Sequence, residues 1–248
     1  MDTFKGKVAV VTGAGRGIGT VIAGYLIAEG ATVYVPDLDG ERSRQAAERL
    51  GESARPATLD VTSADQVKTF FRHVDKEAGG VDLLVNCAGG YAPLVPTLNI
   101  TEAEYDLVMD SNLKGTFLCC QAAIASMIKR GGGAILNFSS LAGRQTSPAL
   151  GSPYTAAKAG VLGLTRHLAK EFGANGVRVN AVAPGTTEGE RVAGLLTQDD
   201  RERQLAGIPL GRFTTAEDLA DVAVFLLSER ARYITGATID VNGGVLTI

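Results

Sequence analysis

The sequence predicts a doubly wound α/β fold, in which a parallel sheet carries helices on both faces. Two observations lead to this prediction. Short runs of β-branched residues alternate with longer amphipathic segments along all 248 residues. Several of the runs, such as residues 8–11, are apolar at every position, which is typical of strands that are buried on both faces. We therefore expect a single domain over residues 1–248, with a sheet of about seven strands.

The individual elements follow from where each periodicity begins and ends. Strands are predicted at residues 7–12, 31–36, 54–59, 83–86, 134–139, 177–182 and 237–241. Helices are predicted at residues 18–29, 41–50, 64–78, 102–130, 154–172 and 216–228, and we expect the longest to break near Asn112. Residues 184–212 remain as one long irregular region. A segment of this length favours a substrate loop or lid, with a plain surface excursion as the alternative.

Composition excludes several classes of function. The net charge of −3, from 24 Lys+Arg and 27 Asp+Glu, predicts no basic face for nucleic acid or an anionic membrane. The longest uncharged stretch, residues 83–101, contains two prolines and is unsuited to spanning a membrane. The apolar run at residues 8–11 is too short for a secretory signal. The three cysteines lack metal-ligand spacing, so we expect a cytoplasmic protein without a metal site.

A glycine-rich turn joins the first predicted strand to the first predicted helix. It reads TGAGRGIG over residues 12–19. Glycine allows a tight turn and lets backbone N–H groups approach a pyrophosphate at the positive end of a helix. A strand–helix turn without a ligand is the alternative. We expect a Rossmann-type fold that binds a dinucleotide here, through Gly13, Arg16, Gly17, Ile18 and Gly19.

Asp37 ends the second predicted strand, 18 residues after Gly19. A carboxylate at this place accepts hydrogen bonds from both adenosine ribose hydroxyls and repels a 2′-phosphate, which favours NAD over NADP. Arg16 offers a partner for a phosphate and favours the opposite choice. A loop aspartate before Gly40 is the plain alternative for Asp37. We expect NAD as the cofactor, with NADP less favoured.

Two further strings lie at the carboxyl ends of predicted strands, where an open parallel sheet places its ligand crevice. Asp60 and Val61 follow the third strand, and NCAGG at residues 86–90 follows the fourth. We expect additional cofactor contacts from Asp60, Val61, Asn86, Ala88 and Gly89.

Tyr154 and Lys158 lie four residues apart in a predicted helix and therefore share one helix face. An ammonium beside a phenol stabilises the phenolate and lowers the tyrosine pKa, as a general acid or base requires. The alternative is a tyrosine–lysine pair on a helix surface that has no chemical role.

Taken together, the order and spacing of these motifs resemble the classical short-chain dehydrogenase/reductase family over essentially the whole chain. The matching residues are Thr12-Gly13-x-x-x-Gly17-x-Gly19, Asn86-x-Ala88-Gly89, Asn112, Ser140, Tyr154-x-x-x-Lys158 and Pro184-Gly185. The resemblance implies hydride transfer between nicotinamide C4 and a substrate carbon, coupled to proton transfer at the substrate oxygen.

The same resemblance implies a role for each catalytic residue. Tyr154 would donate a proton to a carbonyl or accept one from an alcohol, while Lys158 would lower the tyrosine pKa and hold the nicotinamide ribose. Ser140 would orient the substrate oxygen. Ser139 is the alternative serine, because the loop from Ser140 to Tyr154 is one residue longer than usual. Asn112 would hold a proton-relay water, unless it serves only as a helix-kink residue.

The segment after the sixth strand should also reach the cofactor, through Pro184 and Gly185. Where the family often has Pro-Gly-x-x-x-Thr, residues 184–189 read PGTTEG. We expect Thr187 or Thr186 to substitute for the missing threonine near the nicotinamide amide, and the sequence leaves that choice open.

The substrate pocket is expected between residues 90–96, 141–153 and 184–212. Its side chains are mostly apolar, which suits a hydrophobic ketone or secondary alcohol as the small-molecule partner. They include Tyr91, Leu94, Val95, Leu150, Val192 and Leu195. Arg144 and Arg191 are candidates for meeting an anionic group, but we expect both to be solvated.

We therefore expect an NAD(H)-dependent enzyme that interconverts a secondary alcohol and a ketone. An NADPH-dependent 3-oxoacyl-[acyl-carrier-protein] reductase is the alternative within enzymes, and a dinucleotide-sensing regulatory protein is the non-enzyme alternative. Residues 115–128 carry more apolar surface than one sheet needs, which suggests subunit contacts. The family resemblance implies a homotetramer, with a dimer as the alternative.

Overall fold

The computed structural model of the chain describes residues 3–90, 95–146, 150–194 and 196–247. Seven strands lie within these ranges. They are β1 Val8–Thr12, β2 Thr32–Asp37, β3 Ala54–Thr58, β4 Leu83–Asn86, β5 Gly133–Phe138, β6 Val177–Pro184 and β7 Thr238–Val241. All pair in parallel in one sheet with the order β3-β2-β1-β4-β5-β6-β7.

Helices connect the strands and cover both faces of the sheet. They are α1 Gly17–Ala28, α2 Gly40–Leu50, α3 Ala64–Ala78, α4 Glu102–Met109, α5 Gly115–Lys129, α6 Ser152–Phe172, α7 Glu190–Ala193, α8 Gln198–Ala206 and α9 Ala216–Leu227. This arrangement confirms the predicted doubly wound Rossmann-type fold. Across the described ranges, none of the helices has the length and apolar character needed to span a membrane.

The hydrophobic core consists of two layers, one on each face of the sheet. Val11 of β1 belongs to the layer of Ile22 in α1 and Leu226 in α9, whereas the adjacent Val10 belongs to the layer of Phe70 in α3. Successive side chains of a strand point to opposite faces. Because helices cover both faces, residues 8–11 of β1 are apolar at every position.

The strand order reverses between β1 and β4, and the crevice at their carboxyl ends is where sheets of this kind bind ligands. Helices α4 and α5 approach this crevice as one interrupted helix. A π-helical turn at Asp110–Lys114 separates them and contains Asn112, which confirms the predicted break.

The prediction of an irregular region at residues 184–212 was wrong where α7 and α8 lie. Thr197 and Asp200 form a capping box that starts α8, so a local helix signal was present. None of the residues in α8 is buried. The helix therefore lacks the apolar stripe on which the periodicity argument depends. Strand β6 also runs two residues further than predicted, to Pro184, because that residue pairs with Val241 of β7.

Candidate active site

Close backbone approach explains the glycines of the turn after β1. Gly13 has a φ of +67°, and a Cβ placed on it would lie 2.9 Å from Ala88 Cα. A Cβ on Gly19 would lie 2.8 Å from the Gly13 carbonyl oxygen. Only glycine lets β1, α1 and the residues after β4 meet so closely. Ala88 is fixed on the other side by a hydrogen bond of 3.1 Å from its N–H to Thr12 Oγ1.

The first turn of α1 is suited to an anion. Gly17 and Ile18 begin the helix, and Arg16 before them makes no side-chain hydrogen bond to the helix cap. The backbone N–H groups at the positive end of the helix therefore have no capping side chain. These features fit the pyrophosphate of a dinucleotide.

Asp37 lies directly against the glycine-rich turn. One carboxylate oxygen accepts a hydrogen bond from Gly15 N at 3.0 Å, and the other accepts from Asp39 N at 3.1 Å. A Cβ on Gly15 would lie 2.7 Å from that carboxylate. Asp37 is therefore held at the rim of the crevice, and its remaining lone pairs suit ribose hydroxyls. Arg16 is exposed.

Asp60 and Val61 lie after β3 at the same edge of the sheet. Asp60 Oδ1 accepts hydrogen bonds from Thr62 N at 2.9 Å and from Thr62 Oγ1 at 2.7 Å, so this carboxylate mainly shapes a local turn. Val61 packs against the first residue of α5, because a Cβ on Gly115 would lie 2.7 Å from Val61 Cγ2.

Tyr154 and Lys158 converge with the residues after β4. Lys158 is buried, and its Nζ donates a hydrogen bond to the Phe138 carbonyl oxygen at 2.8 Å. The same Nζ lies 5.6 Å from the centre of the Tyr154 ring. A Cβ on Gly89 would lie 2.5 Å from Asn112 Oδ1 and 3.7 Å from Lys158 Nζ. The tertiary structure therefore brings the Tyr154–Lys158 pair close to Gly89 and Asn112, which lie far from that pair in the sequence.

Asn112 offers an acceptor at this point. Its side-chain Nδ2 donates to the carbonyl oxygens of Gly90 at 2.6 Å and Val108 at 2.8 Å, which fixes the amide. Its Oδ1 is buried and has no hydrogen-bond partner among the described residues. A buried acceptor without a partner costs about 1–3 kcal/mol, and such exceptions are typical of functional sites. The amide oxygen fits a water or ligand hydroxyl near Lys158.

The two serines after β5 have different environments. Ser139 is buried, and its hydroxyl donates to the Lys158 backbone carbonyl at 2.8 Å. Ser140 is partly exposed, and its Oγ accepts from Ala142 N at 3.1 Å. The Ser139 hydroxyl is thus committed to the backbone of α6, whereas the Ser140 hydroxyl hydrogen remains available as a donor.

Sequence reasoning missed a buried amide network behind the site. Asn86 of β4 donates to Asn137 Oδ1 at 2.8 Å, and Asn137 Nδ2 donates to Thr165 Oγ1 of α6 at 3.0 Å. Asn86 is buried, so its side chain faces this network in the core. The signal was an asparagine in each of two otherwise apolar strands, which pair with each other in register.

The segment after β6 distinguishes its two threonines. Thr186 Oγ1 donates to Gln204 Oε1 of α8 at 2.8 Å, while Thr187 Oγ1 donates to the Gly185 carbonyl at 3.2 Å. Gly185 follows Pro184 at the end of β6 and packs closely on Asn242, because a Cβ on Gly185 would lie 3.1 Å from Asn242 Cα. Thr186 is engaged by α8 and Thr187 by the adjacent backbone, so both remain candidates for the predicted cofactor contact.

The expectation that Arg144 is solvated was wrong. Arg144 forms a bidentate ion pair with Asp240 of β7, at 3.0 Å from Nε to Oδ1 and 2.6 Å from Nη2 to Oδ2. Asp240 raises the pKa of Arg144 above its ordinary value. A partner 96 residues away leaves no local signal. Tyr91, Leu94, Leu195 and the side chain of Arg191 lie outside the described residues.

A small cavity that is open to solvent lies between α4 and the start of α6. Most of its wall is apolar; α4 was not expected to contribute, and residues 184–212, which were expected to line the substrate pocket, are not among the described residues of this wall. The residues that line it are Val95, Ile100, Glu104, Val108, Gly151, Pro153 and Tyr154. Ile100, Glu104 and Val108 recur at every fourth position, a spacing that is also typical of an ordinary core-facing helix.

Comparison with known proteins shows which family the chain is similar to. The family model described as enoyl-(acyl carrier protein) reductase matches residues 13–246. The chain is 41% identical over 246 residues to the 3-oxoacyl-[acyl-carrier-protein] reductase FabG of Staphylococcus aureus, covering 96% of this chain and 98% of the relative. It is 39% identical over 255 residues to 2-(S)-hydroxypropyl-CoM dehydrogenase 3 of Xanthobacter autotrophicus, covering 100% and 99%.

Among solved structures, the crystal structure of gox2181 superposes with a TM-score of 0.95 at 33% identity, covering 98% of this chain and 97% of that one. The chain therefore belongs to the short-chain dehydrogenase/reductase family. It is an oxidoreductase of a family that uses a nicotinamide dinucleotide and acts on alcohols or ketones.

Proposed function

We propose that this protein interconverts a secondary alcohol and a ketone with NAD(H), using Tyr154 as the general acid or base. The observation that carries the proposal is the convergence of the Tyr154 ring, Lys158 Nζ and Asn112 Oδ1 beside the glycine-rich turn. A proton-transfer group and a dinucleotide cradle then share one crevice.

The chain's own residues divide the proton chemistry among them. A bound nicotinamide supplies or accepts the hydride. Tyr154 donates a proton to the carbonyl oxygen, or removes one from the alcohol. The buried Lys158 ammonium favours the phenolate by charge attraction. Ser140 donates a hydrogen bond to the substrate oxygen and orients it. Asn112 Oδ1 accepts from a water that links Lys158 to solvent.

Asp37 supports NAD rather than NADP. Two backbone N–H groups orient its carboxylate at the crevice rim. A 2′-phosphate there would meet a fixed negative charge at short range, whereas ribose hydroxyls would find two acceptors. Arg16 is exposed and Arg42 already pairs with Asp39 at 3.2 Å, so neither offers a comparably fixed partner for a phosphate.

An NADPH-dependent 3-oxoacyl-[acyl-carrier-protein] reductase is the second candidate, favoured by the 41% identity to the Staphylococcus aureus enzyme. Asp37 argues against it. A regulatory protein that only senses the dinucleotide is disfavoured, because such a protein has no need of Tyr154 or Lys158.

We also propose a homotetramer, with a dimer as the alternative, in the cytoplasm. Several large apolar side chains are exposed in the single chain, which is typical of subunit contacts. They include Leu107, Phe117, Phe225 and Tyr233. The free cysteines Cys87, Cys119 and Cys120 support a reducing compartment.

The test of cofactor choice is a fluorescence titration with NADH and with NADPH, for the wild type and Asp37→Ala. We expect NADH to bind more tightly to the wild type and Asp37→Ala to lose that preference. Glu41→Ala, which removes an exposed carboxylate at the start of α2, is the matched control and should bind like the wild type. A wild-type preference for NADPH would overturn the NAD assignment and move the acyl-thioester reductase to first place.

The test of the reaction is a ketone panel with the preferred dinucleotide, for the wild type and Tyr154→Phe. If the protein is an enzyme, Tyr154→Phe loses the turnover of the wild type and keeps its affinity for the dinucleotide. A sensing protein shows no turnover of any ketone in either form.

A further inference from the structure

The cavity between α4 and α6 is the space that a substrate side chain would enter. Tyr154 forms part of its wall. A specificity inference drawn from this cavity rests on the proposed function, because a carbonyl oxygen at the Tyr154 hydroxyl places the neighbouring substrate atoms in this space. The residues that form the rest of the cavity wall therefore help to determine which substrates fit.

One charged side chain, Glu104, stands among the residues known to line the cavity. The remaining side chains of that wall are apolar, namely those of Val95, Ile100, Val108 and Pro153. Glu104 is partly exposed, and its charge is the one that a substrate beside this wall would meet. Glu104 is the group on this wall that distinguishes substrates by charge.

Hydrogen bonds fix the Glu104 carboxylate in place. Its Oε2 accepts from Thr101 N and from Thr101 Oγ1, both at 2.8 Å, while Glu104 N donates to Thr101 Oγ1 at 3.2 Å. This capping box starts α4. The bonds from Thr101 lower the pKa of Glu104, so the group is ionised at neutral pH. Turning the carboxylate away from Thr101 would break both bonds to Oε2.

We infer that Glu104 determines substrate specificity: the cavity accepts uncharged ketones and secondary alcohols, best those with a hydroxyl on the side chain, and rejects side chains that end in an anion. A hydroxyl donates a hydrogen bond to the carboxylate, which strengthens binding. A carboxylate or phosphate on the substrate is repelled by the fixed charge and loses its water on entry.

The experiment compares three small ketones that share the same reacting end. They are 2-pentanone, 4-hydroxy-2-butanone and acetoacetate, whose side chains end in a methyl, a hydroxyl and a carboxylate. The kcat/KM of the full-length enzyme is measured for each with its preferred dinucleotide. For the wild type we expect 4-hydroxy-2-butanone to be best and acetoacetate to be roughly tenfold worse than 2-pentanone.

Glu104→Gln removes the charge but keeps the capping box, in which glutamine serves as well as glutamate. We expect the disadvantage of acetoacetate to shrink about fivefold or more, mainly through KM, while 2-pentanone changes little. Glu102→Gln is the matched control, because it neutralises an exposed carboxylate in the same helix turn. It should leave all three ratios unchanged.

The outcomes separate this inference from the proposed function. If no ketone is reduced although a dinucleotide binds, the proposed function fails. If ketones are reduced but Glu104→Gln leaves the ratios as in the wild type, the specificity inference fails and the proposed function stands. An equal loss on all three ketones would show that Glu104 serves only the helix cap, which also overturns the inference.

Discussion

At the amino edge of the sheet, the buried carboxylate of Asp82 is surrounded by donors, whereas at the carboxyl edge the buried Asn112 Oδ1 has none among the described residues. Asp82 lies just before β4 and accepts from Val8 N at 2.9 Å and from Arg130 Nη2 at 3.0 Å. Lys7 Nζ adds a third donor at 3.4 Å. The two edges of the sheet therefore differ in how completely these two buried polar groups are satisfied.

The difference separates stability from function. A buried charge whose hydrogen bonds are complete holds neighbouring elements together, and removing one partner is strongly destabilising. An acceptor that the protein itself does not satisfy costs stability and is retained where a ligand or water completes it. We therefore expect substitutions at the amino edge to change the free energy of unfolding, and substitutions at the carboxyl edge to change catalysis.

Tyr154→Phe should have the largest effect and change catalysis alone. Loss of the general acid should lower kcat/KM by about 10²–10⁴-fold, with dinucleotide affinity and thermal stability nearly unchanged. Steady-state kinetics, NADH fluorescence and thermal unfolding measure these three quantities. Tyr105→Phe, which removes the hydroxyl of an exposed tyrosine on α4, is the control and should behave like the wild type. Comparable losses in the two variants would contradict the role of Tyr154.

Asp82→Ala should be the reverse case, with lower stability and normal catalysis in the folded enzyme. Removing the carboxylate leaves Arg130 and Val8 N without their partner, at a cost of about 3 kcal/mol in the free energy of unfolding. Urea unfolding measures this loss. Glu48→Ala, which removes an exposed carboxylate on α2, should cost little. A loss in Asp82→Ala no larger than in this control would contradict the contrast between the two edges.

Asp240→Asn tests a case between these extremes, because the Arg144–Asp240 pair is partly exposed and lies beside the Ser140 turn. Arg144 ends that turn, and a Cβ on Gly143 would lie 2.7 Å from the Lys158 backbone, so a shift there reaches the site. We expect about 1–2 kcal/mol of lost stability together with a lower kcat. Thermal unfolding and kinetics on the same preparation check this. If stability falls while kcat is unchanged, the Arg144–Asp240 pair serves stability alone, as we expect of Asp82 at the amino edge.

The smallest effect should come from Asp218, at the start of α9. Hydrogen bonds from Arg212 hold the pKa of Asp218 well below its ordinary value near 4. A depressed pKa in the folded state contributes stability above the ordinary pKa, and that stability is lost as the pH falls through the folded-state value. Asp218→Asn should therefore be less stable than the wild type at pH 7, with the difference narrowing below about pH 4. Urea unfolding across pH measures it, and a difference independent of pH would contradict it.

Local patterns were enough to predict most of the fold and the proximity of Tyr154 and Lys158. The alternation of short strand-like runs with longer amphipathic segments predicted all seven strands, and the run at residues 8–11 is apolar throughout because helices cover both faces of the sheet. The Tyr154–Lys158 spacing places both side chains on one helix face whatever surrounds them. The helix α8 was not predicted because none of its residues is buried. The hydrophobic periodicity that identifies other helices is therefore absent from it.

The sequence by itself determined the parallel α/β architecture, the glycine-rich turn and the break at Asn112, because each depends on residues close together in the chain. Only the tertiary structure decided that Arg144 meets Asp240, that Arg130 meets Asp82 and that Glu104 lies in the cavity wall beside Tyr154. Such contacts depend on how strands and helices pack across the sheet. Packing joins residues that are far apart in the chain, and a polar side chain carries no local mark of the partner it will meet.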